Sequence, residues 1–213
     1  TLTHAKLAYS NSMEVNRMKK SSGIKAKDLI TTGIFTAIMF ALCMAVAMLG
    51  YMPIFIPLLG IIVPLIDGIP YVLFVSKTKK FGLITIMGFL LGLLIGVMGM
   101  GVYAPFTGLI AGLLADLLLK SSDYSSAKKV ILSKGIFSIW LIGNYIPIVI
   151  SRDAYYQNLA QGGYGKAYAD ALMKLIPDWS LIPLLVGMFI AGILGALIGR
   201  SLLKKQFERA GIV

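Results

Sequence analysis

Charge and reactive polar chemistry are scarce in this chain. Asp, Glu, Lys and Arg make up 14% of its 213 residues and hydrophobic residues 58%, where soluble domains run at about 25% and about 45–50%. A large soluble domain is excluded. Histidine occurs once, at His4, and cysteine once, at Cys43. A lone cysteine closes no intramolecular disulfide and builds no cysteine metal site. The sequence also lacks HExxH, GxSxG and P-loop patterns and any cluster of metal-ligating side chains. No catalytic residue, metal or cofactor is therefore expected, and the chain carries no nucleotide site with which to hydrolyse ATP.

What is present is apolar length. Spanning a bilayer takes roughly 20 apolar residues per helix, and six segments qualify, at about 28–50, 53–76, 82–100, 101–120, 130–150 and 179–203. The expected architecture is an all-α integral membrane protein of six transmembrane helices. Residues 1–22 form a polar leader, expected to be poorly ordered, with Met13 and Met18 as candidate natural starts. The membrane domain is placed at 23–213, with one long outer loop at about 151–178. That loop exceeds an ordinary connector, and Gly162 and Gly163 divide it into two short predicted helices under which a ligand would be covered.

The net charge is +11. In a soluble protein this would suggest nucleic acid, but here the basic residues cluster at joints between apolar segments and read as topology signals, with lipid and not nucleic acid as the surrounding partner. All the Lys and Arg except Arg152, Lys166 and Lys174 fall on the face shared with the N-terminus. The positive-inside rule then places both termini in the cytoplasm.

Four features inside the spans carry functional expectations. Gly33, Ala37, Ala41 and Ala45 recur every four residues along one stripe of the first helix, so another backbone can approach closely. This suits either an internal helix contact or docking of a separate membrane protein. The last helix has a similar run, Gly187, Ala191, Gly195 and Gly199. Asp67 and Asp116 are acidic residues that lipid would not tolerate: Asp116 is expected to pair with Lys120, and Asp67 to bond backbone or a neighbour at a local break. Trp140 and Asn144, one α-helical turn apart, suit a flat polar heterocycle by stacking and hydrogen bonding. Tyr103, Tyr155 and Tyr156 are placed to close over it, and Arg152 and Asp153 to pair at the start of the loop.

Several stretches resemble one family. Lys27-Asp28-Leu29-Ile30-Thr31-Thr32-Gly33-Ile34-Phe35, Lys80-Phe81-Gly82, Gly143-Asn144-Tyr145-Ile146-Pro147, Ser151-Arg152-Asp153-Ala154-Tyr155 and the ending Lys205–Val213 are similar to the Trep_Strep (MptD-like) family across essentially all of residues 23–213. Its members are regarded as substrate-binding S components of energy-coupling factor (ECF) importers, which take up vitamins in bacteria. The resemblance implies an S-component fold in the bacterial plasma membrane with an outward-facing pocket. It also implies a transmembrane coupling protein (T component) and two ABC ATPase subunits as partners, with the Ala37, Ala41 and Ala45 stripe as the docking face. The implied substrate is a small vitamin or precursor such as hydroxymethylpyrimidine or a pyridoxine-like ring. The alternative is a self-sufficient small-molecule carrier or channel, in which Asp67 would be the coupling residue.

Overall fold

The computed structural model describes residues 23–209, with side chains described through Lys204; the polar leader at 1–22 lies outside the described residues. Helices account for the described fold, and no strand occurs among the described residues. Helix α1 covers Ala26–Ala47 and runs into a 3-10 turn at Met48–Tyr51. Its start is secured when the Lys25 amide donates to Asp28 at 2.7 Å, and the same carboxylate oxygen pairs with Lys80 at 2.7 Å. Three threonines interrupt its apolar run without cost, because Thr31, Thr32 and Thr36 each donate to the carbonyl four residues earlier.

The second rod is α2, Phe55–Ile66, followed by α3, Gly68–Lys77, with Asp67 at the bend. Pro64 and Pro70 each remove a backbone donor there. The ladder continues across the bend all the same, since Asp67 N–H donates to Val63 at 2.9 Å and Tyr71 N–H donates to Asp67 at 3.0 Å.

Helices α4, Leu83–Val97, and α5, Ala104–Lys120, form a tight hairpin. Gly82, at φ +96°, starts α4 in the left-handed region. The two backbones approach so closely at the Gly88–Gly108 crossing that neither position has space for a Cβ, and a Cβ on Gly112 would fall 2.8 Å from the Ile84 carbonyl oxygen. Close backbone approach is how helices gain contact in lipid, where apolar burial alone gives no advantage. At about 1.5 Å per residue α4 is only about 22 Å long, shorter than a hydrocarbon core of about 30 Å.

The fifth segment is not one α-helix. Helix α6 covers Ala127–Ser138, a 3-10 stretch covers Ile139–Asn144, and the short α7 covers Ile146–Ile150. Pro147 cannot donate to the Gly143 carbonyl, and Gly143 is pressed against the Ala104 backbone, where a Cβ would lie 2.6 Å from the Ala104 nitrogen. The Trp140 carbonyl takes its hydrogen bond from Thr107 Oγ1 instead, at 2.7 Å.

The stretch after α7 folds as α8, Arg152–Gln161, and α9, Lys166–Leu175, separated at Gly162–Gly165 with Gly165 at φ +83°. A 3-10 turn at Asp178–Ser180 leads into α10, Leu181–Arg209. Helix α10 packs on α2, α3 and α6 through glycine: a Cβ on Gly195 would lie 2.8 Å from the Leu65 carbonyl oxygen, one on Gly199 2.7 Å from that of Gly68, and one on Gly192 2.8 Å from that of Lys134.

Three helical stretches, Ala26–Tyr51, Phe55–Lys77 and Asp178–Lys204, are long and apolar enough to cross a membrane. The outside of the bundle is itself apolar, with Phe106 66%, Ile182 71% and Val97 81% exposed. Apolar exposure on this scale is what a bilayer solvates.

Candidate functional site

A cavity of about 890 Å³ opens at the end of the bundle that carries the α1–α2 and α4–α5 connections. Its floor is formed by Cys43, Val63 and Leu141, and its walls by the end of α1, the start of α2, the α4–α5 connection and the 3-10 stretch before α7. Helices α8 and α9 roof it with Tyr155, Leu159 and Tyr168. The volume is that of a small-molecule site, typically about 300–1,000 Å³.

The roof is tied down by tyrosine. Tyr168 on α9 donates its hydroxyl to the Gly50 carbonyl at 2.5 Å, and its ring lies 4.8 Å from that of Tyr164, which in turn lies 6.4 Å from that of Tyr51. Burial, with Tyr164 and Tyr155 beside it, pushes the Tyr168 phenol up to about 12. Tyr145 donates to the Ile56 carbonyl at 2.7 Å, fixing the fifth segment to α2. Asn144 lines the cavity; its Oδ1 lies against Gly101 and has no hydrogen-bond partner among the described residues.

Of the residues singled out in the sequence, the cavity brings together Tyr103, Asn144 and Tyr155; Trp140, Arg152, Asp153 and Tyr156 are not in its lining. Trp140 is 1% exposed in the bundle core. A 3-10 helix has about three residues per turn, so positions four apart diverge by roughly 120° where α-helical ones nearly align. This is the physical reason Asn144 reaches the cavity and Trp140 does not.

Arg152 does not pair with Asp153. It donates to the carbonyls of Met173 (2.5 Å) and Ile176 (2.7 Å) and pairs with Asp178 at 3.1 Å. It therefore caps the C-terminal end of α9, where carbonyls lack helical partners. Asp153 is exposed. Tyr156 donates to Asp170 at 2.9 Å away from the cavity, joining α8 to α9, and that bond to a carboxylate raises its phenol above the ordinary value.

The expected Asp116–Lys120 pair is also corrected. Asp116 Oδ2 accepts from the amides of Gly82 (3.0 Å) and Thr85 (2.8 Å) and from the Thr85 hydroxyl (2.7 Å). A carboxylate from α5 thus caps α4, while Lys120 lies over the Phe81 ring at 4.8 Å. Lys134, read as part of an inner basic joint, is 0% exposed because α6 begins at Ala127 and carries it two turns into the bundle. It lies 5.5 Å from the ring centres of both Tyr71 and Phe137. Asp67 is 1% exposed at the bend between α2 and α3, and the expected bond to backbone or a neighbour is corrected: its Oδ1, like the Lys134 Nζ, has no hydrogen-bond partner among the described residues.

The two small-residue stripes part company. Gly33, Ala37, Ala41 and Ala45 are all exposed, flanked by Ile30, Ile34 and Ile38, while Phe35, Met39 and Cys43 form the buried face of α1. On α10, Ala191, Gly195 and Gly199 serve the internal contact and Gly187 touches only Ile61. The sequence reading placed Tyr103 of the α4–α5 connection at the site but missed Met98 and Met100 of the same connection, which also line the cavity. The available signal was a charge-free joint alternating Met and Gly. Among the described residues, no group of three or more His, Cys, Asp or Glu could hold a metal ion.

The apolar exterior and the spanning helices define an integral membrane protein. A family profile described as "Hypothetical bacterial integral membrane protein (Trep_Strep)" matches residues 26–209, and the chain belongs to that family. No curated protein and no solved structure matches it.

Proposed function

We propose that the chain is the substrate-capture (S) component of an ECF-type ABC importer. It crosses the membrane six times with both termini in the cytoplasm. It binds a small vitamin or precursor in the outer cavity, and a transmembrane coupling protein with two ABC ATPases drives delivery inward. The chain breaks no bond in its cargo.

The observation that carries this reading is the outward-facing stripe of α1. Its four small residues are left uncovered, whereas the corresponding run on α10 is largely spent inside the bundle. A smooth groove flanked by Ile30, Ile34 and Ile38 suits close approach of another membrane helix, and the roofed cavity lies at the far end of the same helix.

Co-expression with a bacterial ECF coupling module tests it: the chain is expected to co-purify with the module, and failure to associate sinks the assignment. A self-sufficient carrier would instead transport in liposomes containing this chain alone, without ATP.

A further inference from the structure

Resting on the capture reading of the same cavity, we propose that its ligand is a ring-bearing molecule without an anionic group that donates at least one hydrogen bond, and that phosphorylated or carboxylate-bearing relatives are rejected. Among the described residues, the cavity lining contains no Asp, Glu, Lys, Arg or His. This is not for want of charges nearby. Arg152 is turned to the end of α9 and to Asp178, Asp170 is engaged by Tyr156 away from the cavity, and Asp67 and Lys134 lie below the floor without lining it. An anion in this space would meet no opposite charge, and burying an unpaired ion is strongly unfavourable.

Helix starts do not substitute for a cation. Phosphate and carboxylate sites are commonly made from free backbone amides at a helix N-terminus. At the rim of this cavity α5 begins with Pro105 in its first turn, and its Ala104 and Thr107 amides already donate to the carbonyls of Gly101 and Tyr103. The start of α8 carries Asp153 in its first turn, a negative charge that repels an anion.

Neutral recognition is well supplied. Tyr145 and Tyr168 spend their hydroxyls on backbone carbonyls. Those of Tyr51, Tyr103, Tyr155 and Tyr164 have no hydrogen bond among the described residues. Their rings offer faces for an aromatic ligand and their hydroxyls donate or accept without charge. The Asn144 Oδ1 is a buried acceptor without a donor. Leaving it so costs free energy that an N–H or O–H of the ligand recovers.

The test has two readouts. Native mass spectrometry of the protein purified from cells in rich medium is expected to release a cyclic molecule without an anionic group; a phosphate ester, a carboxylic acid or an acyclic molecule overturns the proposal. In titrations of the purified protein with matched pairs, hydroxymethylpyrimidine against its phosphate and nicotinamide against nicotinate, the neutral member is expected to bind at least tenfold more tightly. Equal or tighter binding of the charged member overturns it. Co-purification with the coupling module is scored separately: a chain that retains a neutral ring but never joins the module removes the capture reading and leaves the charge rule standing.

Discussion

Lys134 and Asp67 are the residues whose burial is hardest to read from the sequence. A lysine near the start of a span ordinarily extends to the interface, yet Lys134 is fully enclosed with two aromatic rings about its ammonium group, and neither its Nζ nor the Asp67 Oδ1 has a hydrogen-bond partner among the described residues. The two groups act on each other through space and not as a contacting ion pair; removing one leaves the other uncompensated, at a cost of about 3–5 kcal/mol for a contacting pair, whereas replacing both by apolar residues is often neutral. Lys134→Met should therefore destabilise strongly, and Lys134→Met with Asp67→Leu should restore most of the loss, as measured by denaturant unfolding in detergent. Additive losses would show that the two charges do not compensate each other. Trp140 and Asn144 make a second contrast. Trp140→Ala empties core space and is expected to cost about 3–5 kcal/mol of stability. Asn144→Leu leaves the fold largely intact but weakens ligand binding at least tenfold, about 1.4 kcal/mol. Unchanged affinity in a folded Asn144→Leu protein would move the pocket away from this residue. Both residues were visible as a pair in the sequence, but their divergence was not, because it depends on Gly143 meeting Ala104 across the bundle.

At the scale of elements, the cavity is governed by how α8 and α9 are held. The break at Gly162–Gly165 was legible, since glycine supplies the positive φ found at Gly165. The fastening was not, because Tyr168 and Gly50 are 118 residues apart. Tyr168→Phe removes one hydrogen bond and keeps the ring, so closure should weaken by about 1 kcal/mol, with faster amide exchange over 152–175. Burial of the same phenol sets a pH dependence. The Tyr168 phenol ordinarily titrates near 10 and is pushed up to about 12 by burial, so the closed form binds the proton more tightly than the open one. Its contribution is complete below pH 10 and is lost as pH rises through 12. Exchange over the roof should accelerate across that window in the parent protein and respond less in Tyr168→Phe. An identical response in both would assign the titration elsewhere.

Across the whole molecule, all six apolar segments of the sequence prove to be helical rods, the fifth with its 3-10 interruption. Apolar length was enough for that, because backbone in an apolar surrounding must satisfy its own hydrogen bonds, and three helical stretches are long and apolar enough to cross a membrane. Which rods touch was less legible, since α1 and α10 carry small residues at the same four-residue spacing. The pattern records that a backbone can come close but not whose backbone it is. The structure separates them: Gly195 and Gly199 abut carbonyls of the second rod, whereas Gly33 has no atom within 4 Å of where a Cβ would stand and the three alanines are exposed. Bulk at the two places should therefore have opposite consequences. Gly195→Leu is expected to prevent the bundle from forming, because the side chain would collide with the Pro64 and Leu65 backbone. Ala41→Trp or Ala45→Trp meets only lipid in the isolated chain and should leave folding and ligand binding nearly unchanged. If α1 is the face that meets the coupling protein, the same substitutions hold the helices apart along the stripe and abolish complex formation and uptake. The measurements are ligand titration of the purified variants, co-purification with the coupling module and uptake by cells. Loss of ligand binding in step with loss of association would place these alanines in the packing of the bundle, and intact association would place the docking face elsewhere.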